Sequence, residues 1–184
     1  HRAWLVGQQA NDGSWASGDA LHSGNEALGT SPYRSTAFIT WGLATDGGAP
    51  AAAQRGRDFL VSHLDDAAND RYALALITNA LLALDPNDPA LPGLLGQLAA
   101  AAQPAGDGQK KWDFDGGSWT GARGGGTPGE VEMTGLVVYA LIQAGSSNEL
   151  VSEGLAFLAA TKDAFGNWYS TQATVNSLRA LLTA

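Results

Sequence analysis

Acidic pairs, aromatic rings and two internal histidines are the residues of this chain with chemistry to offer. Glu130 and Glu132 could divide general acid and base work. On a helix, however, alternate residues point to different sides, so capping and dipole complementarity in a first turn explain them better. Asp65, Asp66 and Asp70 form a cluster of the kind that holds magnesium. At the end of an outer helix they read instead as a solvated turn with a cap. Trp15, Trp41, Trp112, Phe114, Trp119, Trp168 and Tyr169 offer faces on which a sugar or an isoprenoid could stack, although such rings more often serve core and turn packing. His63, near a helix C-terminus, suits the dipole there and is assigned no chemistry. His22 lies in the middle of a Gly-, Ser- and Asn-rich stretch, Ala16 to Ser31, and long loops are functional more often than short ones. Cysteine is absent, which excludes thiolate nucleophiles, disulfides and Cys-based zinc sites within these residues.

Composition narrows the partners. The 184 residues are 45% hydrophobic, enough for one domain with a real core and too many for a disordered chain. Lys+Arg 10 against Asp+Glu 18 gives a net charge of −8, which opposes nucleic acid or anionic membrane as a partner. No apolar run approaches the roughly 20 residues of a membrane span. His1 begins directly at a helical pattern, so the chain is read as one domain, residues 1–184, within a longer polypeptide.

The stretch from Phe165 to Leu182 is a template for the elements that position these residues. It has an aromatic Gly turn, a Ser170 or Thr171 cap, and a helix whose Val175, Leu178 and Leu182 recur at buried-face spacing. Arg2 to Gln9 reads as the last turns of a helix followed by the same kind of turn at Asp12-Gly13, returning Trp15. Pro32 to Thr45, Tyr72 to Leu84 and Glu130 to Ala144 are apolar nearly all round, the mark of buried helices. Ala51 to Leu64, Pro89 or Ala90 to Gln103, and Asn148 to Thr161 are amphipathic and belong outside. Lys110 to Pro128 is irregular, with a strand or hairpin suggested by Trp112-Asp113-Phe114. Outer and inner helices thus alternate with a repeat of about 40 residues, which predicts an all-α fold, an α/α toroid or part of one, of about eight helices with an irregular or β-hairpin insertion near 110–128.

Gly129-Glu130-Val131-Glu132-Met133-Thr134-Gly135-Leu136 and Trp168-Tyr169-Ser170-Thr171-Gln172-Ala173-Thr174-Val175 resemble the late helices of the thioester-containing domain of alpha-macroglobulins and complement components, and the spacing between them also matches. Trp4-Leu5-Val6-Gly7-Gln8-Gln9, Asp12-Gly13-Ser14-Trp15 and Ser35-Thr36-Ala37-Phe38-Ile39 resemble the middle of that domain. Gln9 followed by Gly13 and Trp15 is also similar to the QW repeat of terpene cyclases, which share the toroid. That motif marks a fold and not a reaction. A turn carrying Gln and Trp would tighten the joint between outer and inner helices, the ring burying area and the amide satisfying free helix-end groups.

The resemblance implies a protease-trapping or surface-tagging protein in which a Cys-to-Gln thioester, once exposed, acylates the attacker. The family's Cys-Gly-Glu-Gln motif lies upstream of anything matched here, so the chain is a carboxy-terminal part of the domain or its parent has lost the thioester. His22 lies roughly where complement-type members place the histidine that attacks the thioester, with Asn25 another occupant of that place. The implied partners are target proteases and other domains of the parent chain. The implied setting is extracytoplasmic, and the Ala- and Gly-rich composition points to a bacterial member. This would be a trapping protein rather than a turnover enzyme, and no cofactor or metal is expected. The alternatives are a toroidal enzyme acting on isoprenoids or polysaccharides, or a degenerate toroid kept as an interaction surface. An isoprenoid enzyme would need a clustered Asp proton donor or a Cys-containing zinc site. A polysaccharide enzyme's carboxylates need no motif.

Overall fold

The computed structural model describes residues 1–16, 31–114 and 126–184. Among them are nine helices: α1 (Arg2–Gly7), α2 (Pro32–Asp46), α3 (Pro50–Ser62), α4 (Leu64–Ala67), α5 (Arg71–Leu84), α6 (Leu91–Ala100), α7 (Gly126–Gln143), α8 (Asn148–Thr161) and α9 (Thr171–Thr183). A two-stranded antiparallel hairpin, β1 (Gln103–Gly106) and β2 (Gln109–Lys111), stands between α6 and α7.

Side chains set the helix ends. The Ser31 hydroxyl accepts from Arg34 N, Asp70 Oδ1 from Ala73 N, and the Ser170 hydroxyl from Ala173 N, each satisfying an orphan amide of an inner helix. Gly47, at φ +68°, closes α2 in the left-handed conformation that glycine adopts without penalty.

The inner helices pack in the order α2, α5, α7, α9, while α3 covers α2 and α5, α6 covers α5 and α7, and α8 covers α7. Apolar character follows this placement. From Tyr72 to Leu82 every residue of α5 is buried, and α7 is buried from Val131 to Val138. Each outer helix buries one stripe: Ala52, Ala53, Gly56, Phe59 and Leu60 on α3; Leu91, Leu94 and Leu98 on α6; Gly154, Phe157 and Leu158 on α8. The main core lies between the two layers, and each fully buried Leu contributes about 1.5–3 kcal/mol. The alternation expected of an all-α toroid is therefore present, with its small β insertion.

Four expectations need correction. First, the hairpin turns at Asp107-Gly108, Gly108 taking φ +67°, whereas Trp112 to Phe114 pair in no strand. Second, α7 starts at Gly126, because Pro128 is tolerated in a first turn where its missing N–H costs nothing. Glu130 and Glu132 consequently lie beyond that turn. Third, α9 does not bury Val175, Leu178 and Leu182, which are 43%, 42% and 84% exposed. It buries Ala173, Asn176, Ser177 and Ala180, since the absence of a side chain at Gly135 of α7 lets the backbones close up. A Cβ there would stand 2.9 Å from Asn176 C. Phe38, expected inside α2, is 41% exposed.

Candidate functional site

Three tryptophans fix the outer helices α1, α6 and α8 each to the inner helix that follows. The indole Nε1 of Trp15 donates to Leu5 O at 2.8 Å, that of Trp112 to Leu98 O at 2.6 Å and that of Trp168 to Leu158 O at 2.7 Å. Their backbone amides donate to Thr36, Thr134 and Thr174 Oγ1 at 3.0, 3.0 and 3.1 Å. Each ring satisfies a carbonyl near the end of the outer helix, and each threonine, in the early turns of the inner helix, satisfies the turn. Glycine on the next outer helix leaves room for the assembly. A Cβ at Gly56 would overlap Thr40 and touch the Trp15 ring at 3.0 Å, and one at Gly154 would overlap Val138 and approach the Trp112 ring at 3.2 Å. Trp15, Trp112 and Trp168 are thus buried structural pins. Phe114 is core, Tyr169 is exposed, and Trp119 lies outside the described residues.

Gln9 acts differently from the expectation. Its amide donates to Gly13 O and Ala52 O, both at 2.9 Å, tying the turn to the next outer helix and not to free helix-end groups. Asp12 braces the same turn. Hydrogen bonds to its carboxylate from Ser14 N and the Ser14 hydroxyl hold it below its ordinary pKa of 3.8.

The early turns of α2, α5 and α7 share a polar chain that sequence reasoning missed. Arg34 donates from Nε and Nη2 to the two carboxylate oxygens of Asp70, at 2.6 and 2.7 Å. Its guanidinium lies 5.1 Å from the centroid of the Tyr72 ring, and the Tyr72 hydroxyl donates to Glu132 Oε1 at 2.6 Å. Arg34, Tyr72 and Glu132 are all buried. The chain joins three inner helices, and the partial positive charge at the start of α5 favours the capping Asp70 carboxylate. Only the Asp70 cap was visible in the sequence.

The remaining site expectations separate in space. Glu130 pairs with Lys111 at 2.6 Å while Glu132 faces Tyr72, so the two carboxylates do not act together. Asp70 is committed to its cap and to Arg34, while burial, with the Asp66 carboxylate nearby, raises the Tyr33 pKa above 10.0. His63 Nδ1 approaches Phe59 O at 2.8 Å at the C-terminus of α3, its ring stacked on Phe59. His22 and Asn25 lie outside the described residues. The flanks of their stretch are both fixed to the early turns of α2, through Trp15 N on Thr36 and Ser31 as the cap.

The chain matches the model of the A-macroglobulin TED domain over residues 1–183. It belongs to that family. No curated protein matches the chain. For this TED domain, the strong sequence signals at Glu130–Leu136 and Trp168–Val175 turn out to be the joints themselves. Thr134 and Thr174 receive the tryptophan amides, and Gly135 admits the backbone of α9. Among the described residues no helix is long and apolar enough to cross a membrane.

Proposed function

We propose that residues 1–184 are the later part of a single thioester-bearing domain in a bacterial, extracytoplasmic alpha-macroglobulin-like protein that traps proteases covalently. In this reading His22 is its acyl-transfer residue. The observation that carries the reading is the TED match over 1–183 in a chain that holds no cysteine. The thioester Cys and its Gln then come from sequence preceding the chain.

In this reading a His22 ring nitrogen attacks the thioester carbonyl. A C–N bond forms, the C–S bond breaks, and the thiolate leaves. The thiolate next takes the proton of an incoming hydroxyl, whose oxygen attacks the acyl-imidazole and displaces the imidazole, leaving an ester on the target. The acyl group is consumed in the capture, so the protein acts once and does not turn over. The flanks support the reading, since Trp15 and Ser31 tie both ends of the segment that holds His22 to α2. Partners are target proteases and neighbouring domains of the parent.

The test activates the thioester-bearing parent with protease in the presence of paired hydroxyl and amine probes. His22→Ala is expected to shift capture from hydroxyl to amine. An unchanged partition would remove His22 from the mechanism.

A further inference from the structure

Four aspartates of the chain, Asp12, Asp46, Asp107 and Asp115, are each followed by glycine, and the last lies outside the described residues. In that setting the side chain can close a small imide ring on the main chain. The glycine nitrogen attacks the aspartate Cγ, a C–N bond forms, and the carboxyl hydroxyl leaves with the amide proton as water. Water then opens the succinimide. Attack at the side-chain carbonyl restores aspartate, whereas attack at the main-chain carbonyl leaves isoaspartate, its chain running through Cβ and Cγ. Glycine favours the step because no Cβ crowds its nitrogen. Asp85 and Asp88 are exempt, since Pro86 and Pro89 have no N–H to give.

Ring closure needs a carboxyl able to turn onto the main chain and a glycine N–H that no acceptor holds. At Asp12-Gly13 neither is available. Asp12 Oδ1 accepts from Ser14 N at 2.9 Å and from the Ser14 hydroxyl at 2.7 Å, while Gly13 N donates to Ala10 O at 3.0 Å. The Ser14 bonds also keep Asp12 ionised to lower pH, and the ionised carboxylate is the poorer electrophile. At Asp46-Gly47 the carboxylate pairs with Arg2 at 2.8 Å and accepts from Gly48 N at 3.2 Å, and Gly47 N donates to Leu43 O at 3.0 Å. Both sites are locked by the bonds that build their turns.

Asp107-Gly108 differs on each count. The pair forms the exposed tip of the β1–β2 hairpin. Among the described residues the Asp107 carboxylate has no partner and the Gly108 amide donates to no acceptor. Gly108, at φ +67°, has open space where a side chain would stand, so no neighbour resists the change of backbone geometry that closure demands. We propose that Asp107 isomerises spontaneously in the folded protein, through a succinimide formed with the Gly108 nitrogen, while Asp12 and Asp46 are protected. The product puts an extra carbon into the turn between Gly106 and Gln109, which pair across the hairpin. The strand it disturbs leads through Lys111, paired with Glu130, to the Trp112 pin. The inference is independent of His22 and of any thioester.

Heavy-oxygen water tests it, because each cycle of closure and opening exchanges one carboxyl oxygen. Folded protein is aged in it at mildly acidic pH, digested with trypsin in ordinary water and sequenced by mass spectrometry. Cleavage after Lys110 and Lys111 parts Asp107 from Asp115. Isoaspartate is read separately, by methyl uptake from S-adenosylmethionine with isoaspartyl methyltransferase. Both signals are expected at Asp107, with Asp12 and Asp46 slower by about tenfold or more. In denaturant the three sites are expected to converge. Asp107→Glu, whose larger ring closes far more slowly, is expected to lose the signal from its peptide. An unlabelled Asp107 in the folded protein would overturn the proposal. So would labelling of Asp12 or Asp46 as fast as Asp107, an order of sites that survives denaturation, or a signal that persists in Asp107→Glu.

Discussion

Replacing Thr134 by Val tests how the helices are joined. Thr134 Oγ1 accepts from the buried Trp112 amide at 3.0 Å, and Val keeps the shape of the side chain while removing the acceptor. Thr and Val have similar helix propensities, so the comparison isolates the hydrogen bond. An N–H left buried without a partner costs about 1–3 kcal/mol. The Trp112 ring stays in place, because its indole bond to Leu98 O at 2.6 Å is untouched. The loss should therefore stay below the roughly 3–5 kcal/mol of deleting a buried Trp. In a domain of this size each kcal/mol moves Tm by about 2–4 °C, so Thr134→Val should melt roughly 2–12 °C lower. Thr36→Val should behave alike, and Thr174→Val should cost less because the Trp168 amide is only partly buried. Amide exchange supplies the second readout. Trp112 N–H should lose protection in Thr134→Val and keep it in Thr134→Ser, which loses a methyl but retains the acceptor. Unchanged protection in Thr134→Val would refute the assignment of that hydroxyl as the turn's anchor.

Glycine substitutions should split by position. Gly135→Ala drives a Cβ into the backbone of Asn176 and Ser177 and should destabilise by about 1–3 kcal/mol, whereas Gly96→Ala on the open side of α6 should stabilise by about 0.5–1 kcal/mol; urea melts decide. Tyr72→Phe removes the donor to the buried Glu132 carboxylate, with an expected loss of about 1.5–3 kcal/mol by the same melts. Burial, with Asp66 beside it, holds the Tyr33 phenol above 10.0. The stability this contributes is present in full below the unfolded value and is lost as pH rises through the folded one, so wild type should weaken from about pH 9 upward, and Tyr33→Phe should lack that step.

The alternation of outer and inner helices was legible because burial writes itself into hydrophobic breadth. Tyr72 to Leu82 is apolar nearly all round, while α3 and α8 carry single stripes. The caps at Asp70 and Ser170 were legible because few residue types can satisfy a helix's first amides. The face of α9 was not, because periodicity shows that Val175, Leu178 and Leu182 form a stripe but not whether a neighbour is there to cover it. The small face that is buried instead depends on Gly135, some 40 residues earlier in the repeat. The hairpin carried a usable signal in Asp107-Gly108, outweighed by the aromatic alternation that follows it. The polar chain from Asp70 to Glu132 left none, since it links residues far apart in sequence that only the packing of α2, α5 and α7 brings together.

The central claim, that this TED domain serves covalent capture, is tested most directly by treating the polypeptide extended upstream of His1 with methylamine, then reading intact mass and free thiol. One amine adduct with one newly released thiol is the predicted result. No adduct and no released thiol would contradict the claim.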